Sequence, residues 1–263
     1  MLGDCCETHG SRDRYLNVLA DREHALDAFI AHEAPGLEGK TRRIECLRLL
    51  EMQRHAMMMF TSCGWFFDDL SGIETVQILR YAGRALQLAA TLGAQGLEAT
   101  FVERLAQAKS NVPEEGDGLA VWNRHVRPSI VSLLDVGAHY AISSLFETFA
   151  REANIYCYRV ERSDHQNLRA GRASFAVGTA RVIAQATGES LTMVYTALHL
   201  GDHNVTAGVV AGPETLDYAA LTADSSAAFS RVAFPEVIRL IDRHFGSSTY
   251  SLVLISRRTK AYS

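Results

Sequence analysis

Apolar residues recur at helical spacing along the chain up to about residue 153. The first such run starts at Tyr15 and continues to Ile30, and its apolar positions lie on one face of a helix. The same spacing predicts further helices over Thr41–Phe60, Ser71–Leu92, Leu97–Lys109 and Ser132–Arg151, with a short one near Trp122 that ends before Pro128. Ser71 and Glu74 match the S-x-x-E pattern of a capping box, which predicts the start of the third helix there.

After Asn154 the pattern changes to short runs rich in β-branched and aromatic residues. These runs predict strands at Ile155–Glu161, Phe175–Ile183, Leu191–Leu200 and Val205–Val210. Turn-like polar clusters separate the strands, at Ser163–Asn167, Thr187–Ser190 and Gly201–Asn204. A last helix is predicted over Pro235–Phe245, with proline in its first turn and Gly246 after its end.

The order of these elements predicts an α+β fold. A helical bundle over residues 1–153 is followed by an antiparallel β layer and a C-terminal helix over residues 154–263. A run of helices followed by a run of strands argues against an alternating parallel sheet.

Composition and charge narrow the possible partners. Hydrophobic residues make up 48% and charged residues 21% of the 263 residues, and the net charge is −4. No block of like charge occurs, so neither nucleic acid nor an anionic membrane is an expected partner. No apolar run is long enough to cross a bilayer, and no signal peptide is recognisable.

The five cysteines have scattered spacing and form no C-x-x-C motif. They are Cys5, Cys6, Cys46, Cys63 and Cys157. This usage predicts a reducing, cytoplasmic compartment and mostly buried thiols, and it gives no reason to expect a metal.

A segment from Thr61 to Asp69 combines three aromatic residues with two carboxylates. An aromatic face stacks on the C–H face of a pyranose, and a carboxylate accepts hydrogen bonds from sugar hydroxyls. Trp65, Asp68 and Asp69 are therefore candidate sugar contacts. The alternative, which composition by itself favours, is that Phe66 and Phe67 fill the bundle while the carboxylates are solvated or cap the next helix. Adjacent carboxylates diverge, so they are not expected to form a glycosidase pair.

Two other groups of polar residues have weaker functional interpretations. His199, Asp202 and His203 contain zinc-ligand types, but a hairpin turn explains their surroundings better. Glu51 and His55 lie four residues apart beside Arg54 and the methionine run Met57–Met59, which favours a bundle histidine over a general base. No sequence motif for a nucleotide or metal cofactor is present, and no cofactor is expected.

Several segments resemble one known family over most of the chain, from about Arg14 to Gly246. The segments are Leu50–His55, Thr61–Asp69, Gly72–Gln77, Ala138–Phe146, Gly201–Val205 and Pro235–Gly246. They are similar to the uncharacterised C-terminal domain of bacterial proteins related to family 57 glycoside hydrolases of the α-amylase and α-mannosidase type. The Trp65 segment is the longest and most specific of these matches.

This resemblance implies a role next to a catalytic barrel that is not in this sequence. Family 57 enzymes act on α-glucans by a retaining mechanism, with both catalytic carboxylates on the barrel, and the helices after the barrel close one side of the substrate cleft. The resemblance thus implies that Trp65 and Asp68, with Asp69 as second choice, contact an α-glucan or oligosaccharide, and it reverses the preference for the packing interpretation. The chain alone is expected to have no catalytic residues and no activity.

Two alternatives to this function remain at this stage. One is a stand-alone carbohydrate-binding or interaction module that never joins a barrel. The other is a metal-dependent enzyme centred on His199, Asp202 and His203.

Overall fold

The computed structural model describes residues 8–33, 39–212, 214 and 216–251. The chain divides into two compact units, residues 1–130 and 131–263. The boundary between the units precedes the change from helical to strand patterns near residue 153, because the helix that follows residue 131 packs on the sheet and belongs to the second unit.

The first unit is helical in its described part. Its α-helices are α1 (Thr8–Ala20), α2 (Arg22–Glu33), α3 (Lys40–Met58), α4 (Ile73–Thr91), α5 (Leu97–Leu105) and α6 (Gly118–Val121). Short 3-10 turns occur at Ser62–Trp65, Pro113–Glu115 and Arg127–Ser129, and a π turn occurs at Trp122–Val126.

The single helix predicted from Tyr15 to Ile30 is two helices. The chain breaks at Asp21, and α1 and α2 pack against each other so that the Tyr15 and Phe29 rings lie 5.6 Å apart. Both helices bury apolar residues of the same spacing, so the pattern alone did not reveal the break.

The second unit contains an antiparallel sheet in the strand order β1-β2-β3-β4-β5-β6. Its elements are α7 (Leu133–Ser143), β1 (Glu152–Ile155), β2 (Tyr158–Ala170), β3 (Ala173–Ala184), β4 (Ser190–His199), β5 (Val205–Ala211), α8 (Tyr218–Ser230), α9 (Phe234–Phe245) and β6 (Thr249–Ser251). One face of the sheet packs against α7 and the other against α8 and α9. The predicted α+β class and the order of helices and strands are confirmed.

Helix α7 ends at Ser143, although the apolar spacing predicted a helix to Arg151. Its start is as expected, because Ser132 and Asp135 form a reciprocal capping box. Beyond the end, Leu145 is buried and the Phe149 ring lies 5.3 Å from that of Tyr140. Apolar residues of the following loop thus pack in the same core as the helix. Their spacing in the sequence happens to match that of a helix, which explains why the predicted helix was too long.

Two predictions in the strand region are wrong, and one helix was missed. The run predicted as one strand at Ile155–Glu161 is a hairpin, whose turn holds Tyr156 at a φ of 52°. The cluster Ser163–Asn167 is the interior of β2 with a β-bulge, not a turn. Helix α8 was not predicted, because its buried positions include small residues such as Ser225 and Ala228.

The cysteines fit the prediction of buried thiols only in part. Cys46 is buried, whereas Cys63 and Cys157 are exposed, and Cys5 and Cys6 lie outside the described residues. No helix in the described ranges has both the length and the apolarity that a membrane crossing requires.

Gly178 in β3 lies between His165 of β2 and Tyr195 of β4 in the sheet register. The Tyr195 side chain passes over this glycine, and its hydroxyl lies 2.9 Å from Nδ1 of His165. A Cβ atom at residue 178 would lie 2.5 Å from the Tyr195 hydroxyl and 2.5 Å from the backbone oxygen of Asp164. A side chain there therefore has to displace backbone as well as the tyrosine.

We expect Gly178→Ala to lower the free energy of unfolding by about 1–3 kcal/mol, the usual cost of overpacking a core. Urea denaturation measures the change. The matched control is Thr179→Ala, at the next residue, where the side chain is half-buried and a smaller loss of under about 1 kcal/mol is expected. Equal losses in the two variants would contradict the steric explanation.

Candidate functional site

The loop between α3 and α4 carries the candidate residues predicted from the sequence. Its 3-10 turn Ser62–Trp65 is anchored by the buried Gly64. A Cβ at residue 64 would lie 2.3 Å from Cγ2 of Ile78 on α4. Glycine therefore lets the loop lie directly against the helix, with the following residues on the outside.

Trp65 lies at the surface of the helical unit, with 66% of the residue exposed. Its indole N–H donates a hydrogen bond of 2.8 Å to the backbone oxygen of Met59, which fixes the ring. The Phe60 ring lies nearly parallel to it, with an interplanar angle of 9° and ring centroids 6.4 Å apart. The other tryptophan, Trp122, is fully buried against Phe101, so the two indoles have different roles.

Phe66 and Phe67 do not fill the bundle, which was the alternative interpretation of this segment. They are 81% and 53% exposed, and their rings contact each other edge to face at 5.2 Å. Phe60, Trp65, Phe66 and Phe67 form what we call the aromatic surface. Ile73, at the start of α4, is also exposed. Such a concentration of exposed apolar side chains is typical of a contact site.

Asp69 holds the loop in place. One carboxylate oxygen accepts hydrogen bonds from the N–H and hydroxyl of Ser71, and the other accepts from the Ser110 hydroxyl at 2.7 Å and the Asn111 N–H at 2.8 Å. The Ser71 and Ser110 hydroxyls, with the two backbone N–H groups, hold the pKa of Asp69 well below its ordinary value. Both oxygens are engaged, so this carboxylate is a structural tie between two loops.

Asp68 differs from its neighbour because its carboxylate is exposed and has no hydrogen-bond partner among the described residues. Only its backbone oxygen is used, accepting a hydrogen bond of 2.5 Å from the Asn111 side chain. Ser110 and Asn111 were not identified from the sequence as part of this site. No local pattern could have shown them, because they lie 41 and 42 residues from Asp69.

The capping box predicted at Ser71 and Glu74 does not form. Helix α4 begins at Ile73 with Gly72 as its N-cap, and no side chain caps it. The Ser71 hydroxyl donates to Asp69 instead. The Thr75 hydroxyl donates to the backbone oxygen of Asp69 at 3.0 Å, which ties the loop to the first turn of the helix.

His199, Asp202 and His203 lie at the turn between β4 and β5. The His199 ring contacts Phe146 edge to face at 5.0 Å, and its Nε2 lies 3.2 Å from the backbone oxygen of Asp202. Asp202 has a φ of 50°, as turn residues often do. Within the described ranges, no three His, Cys, Asp or Glu side chains are grouped as metal ligands would be.

Glu51 is the centre of a buried polar network in the helical unit. It accepts hydrogen bonds from the Tyr15 hydroxyl at 2.6 Å and from Arg54 Nε at 2.9 Å. Burial and the Glu51 charge raise the pKa of Tyr15 far above its ordinary value. The carboxylate is thus charge-paired and shielded, which fits a structural role.

His55 lies beside this network and is uncharged at neutral pH. Burial, followed by the Arg54 charge, lowers the pKa of His55 from 6.5 to about 4. Its Nε2 lies 3.1 Å from Nη2 of Arg54, and arginine can only donate, so Nε2 accepts and the proton is on Nδ1. Nδ1 is buried without a partner among the described residues.

We expect the helical unit to lose stability on acidification because of His55. Its folded pKa is depressed, so its contribution is present above pH 6.5 and is lost as the pH falls through about 4. The loss attributable to this group is at most roughly 3 kcal/mol, measured as the free energy of unfolding against pH.

His55→Gln should remove this part of the pH dependence. His24→Gln is the control, because His24 is a solvent-exposed histidine paired with Asp21 in the same unit. A pH profile that His55→Gln leaves unchanged would show that another group causes the acid sensitivity.

Of three comparisons with known proteins, only the one with family models found a match. No curated protein and no solved structure is significantly similar to the chain. Residues 5–255 match a family described as "Domain of unknown function (DUF3536)". Since the match spans nearly the whole sequence, the chain belongs to the DUF3536 family.

Proposed function

We propose that this chain is the non-catalytic C-terminal part of a family 57-like glycoside hydrolase or glucanotransferase. In this role it packs on the catalytic barrel and supplies sugar contacts through the aromatic surface. The observation that carries the proposal is the exposed but anchored indole of Trp65.

The geometry of Trp65 suits the face of a sugar ring. Because the indole N–H already donates to Met59, binding need not break any hydrogen bond of this group. The ring is also oriented before a ligand arrives, which reduces the entropy lost on binding. An exposed aromatic face offers apolar contact to the C–H face of a pyranose.

In this proposal the carboxylates of Asp68 and Asp69 have different roles. The Asp68 carboxylate has no hydrogen-bond partner among the described residues, so it is free to accept hydrogen bonds from sugar hydroxyls. Asp69 keeps Trp65 and Asp68 in position through Ser71, Ser110 and Asn111, and we assign it no sugar contact.

A sugar alone does not account for the whole exposed apolar surface. Phe66 is 81% exposed and Ile73 is 77% exposed. Exposed apolar side chains in such numbers favour a protein cover, and in this proposal the cover is the barrel. The alternative is a stand-alone carbohydrate-binding or interaction module. The two differ in one outcome: only the first predicts that a separately produced family 57-type barrel binds the chain and gains activity.

We expect the purified chain to bind maltoheptaose in a calorimetric titration, and Trp65→Ala to weaken the binding measured in this way about ten-fold or more, as removal of a central aromatic contact does. The chain has two tryptophans and Trp122 is fully buried, so acrylamide quenching of fluorescence reports mainly on Trp65. Maltoheptaose should protect against quenching, and the β-linked cellohexaose should not.

Three further variants test the division of roles. Phe146→Ala removes an exposed aromatic of the other unit and should leave binding unchanged. Asp68→Asn should weaken binding without altering the fluorescence of the free chain, whereas Asp69→Asn should alter that fluorescence because it loosens the loop. Binding that survives Trp65→Ala at full strength would refute the sugar site.

We expect no turnover of starch-type oligosaccharides by the chain alone, because the resemblance places both catalytic carboxylates on the barrel. Release of reducing ends is the measurement. Turnover abolished by Asp68→Asn would overturn the assignment of a non-catalytic role.

A further inference from the structure

Two arginines face each other across the ladder of β1 and β2. The register pairs Ile155 with Tyr158 and Ala153 with Val160, and it continues to Arg151 and Arg162, whose N–H donates to the Arg151 oxygen at 2.8 Å. All of these residues alternate onto the sheet face that packs against α7. Like charges in directly opposite positions destabilise a sheet.

No acidic side chain among the described residues forms an ion pair with Arg151 or Arg162. Glu161, the residue before Arg162, pairs with Arg159 at 3.2 Å. Asp164 accepts a hydrogen bond of 2.6 Å from the Tyr218 hydroxyl on α8 and one of 2.8 Å from the His165 N–H. Among the described residues, no carboxylate thus offsets the repulsion between the two guanidinium groups.

A β-bulge at Ser163 places a third polar side chain, that of His165, on the same face of the sheet as the two arginines. The extra residue shifts the alternation of β2, so that Arg162 before it and His165 after it lie on the same face. Arg151, Arg162, Ser163, Asp164 and His165 line a cavity of about 470 Å³. Nδ1 of His165 is held by the Tyr195 hydroxyl.

Tyr140 of α7, whose ring lies 5.7 Å from that of Tyr195, is only 1% exposed. Its hydroxyl oxygen has no partner of ordinary hydrogen-bond geometry among the described residues. Burial raises the pKa of Tyr140, and Arg162 and Tyr195 lie near enough to oppose that rise. A buried hydroxyl without a partner of ordinary geometry calls for an explanation, and a polar ligand near Arg162 would supply one.

We propose that this cavity binds a phosphate group, either free or as part of a phosphorylated small molecule. The two guanidinium groups supply two positive charges on opposed strands, which match a dianion better than a monocarboxylate. His165 and the Ser163 hydroxyl supply further polar contacts. The Asp164 carboxylate is engaged by Tyr218 on α8, which lessens its repulsion of an anion. This site uses other residues than the aromatic surface and does not depend on the proposed sugar role.

The test is titration of the purified chain with inorganic phosphate, by calorimetry and by thermal unfolding, at slightly alkaline pH and constant ionic strength. We expect saturable binding and a rise in the unfolding temperature. Arg151→Gln and Arg162→Gln should each weaken binding about ten-fold or more, because each removes charge-assisted hydrogen bonds. In phosphate-free buffer Arg151→Gln should not lower the unfolding temperature, since it relieves repulsion.

The matched control is Arg159→Gln, on the same strand but outside the cavity and already paired with Glu161. It should bind phosphate as the unchanged protein does, and any general salt effect should appear in all variants alike. Absence of saturable binding, or equal weakening in the Arg159 variant, would overturn the proposal. An equal response to acetate would overturn the assignment to a phosphate group. A free anion and a phosphorylated metabolite are distinguished by comparing inorganic phosphate with glucose 1-phosphate and glycerol 3-phosphate.

Discussion

Burial of the sheet on both faces constrains the whole second unit. In β3 the residues from Ala173 to Gly178 are all buried, because α7 covers one face and α8 and α9 cover the other. With water excluded, the backbone N–H and C=O groups of this strand must bond to β2 and β4, and this requirement holds the register. The register in turn brings Gly178 between His165 and Tyr195. At the edge of the same sheet, the pairing of β1 with β2 sets Arg151 opposite Arg162.

The same constraint explains where polar side chains of the sheet occur. The run from Ser163 to Asn167 lies where β1 no longer pairs with β2, so this part of β2 is a sheet edge. Polar edges are a common protection against unwanted strand pairing. At this edge Arg151 and Arg162, for which no described carboxylate forms an ion pair, also line one cavity, which protection alone does not require.

In the helical unit, the exposed loop depends on a few buried contacts. Gly64 and Thr75 fix the loop against α4, and Asp69 ties it to Ser110 and Asn111. These contacts satisfy the polar groups of the loop internally and leave Trp65 and Asp68 outside. A loop anchored in this way, with an exposed aromatic face and an exposed carboxylate, agrees with the sugar-binding role proposed for this member of the DUF3536 family.

Local sequence patterns predicted the class of the fold and most of its elements. Helical spacing identified α3, α4 and α5. Runs of β-branched and aromatic residues predicted β3, β4 and β5 close to their observed bounds. Trp65, Asp68 and Asp69 were singled out by residue type, yet residue type could not separate the structural carboxylate from the free one. That difference arises in part from hydrogen bonds to residues more than forty positions away.

What the sequence by itself determined is therefore the fold class and most of the elements, because hydrophobic periodicity is a property of neighbouring residues. Only the tertiary structure decided which side chains stay exposed and which polar groups are already hydrogen-bonded. The bulge in β2, the exposure of Trp65, the use of both Asp69 oxygens and the opposition of Arg151 and Arg162 all depend on strand register or on contacts between distant segments. Such contacts are set by packing and hydrogen-bond satisfaction across the fold, and no local pattern encodes them.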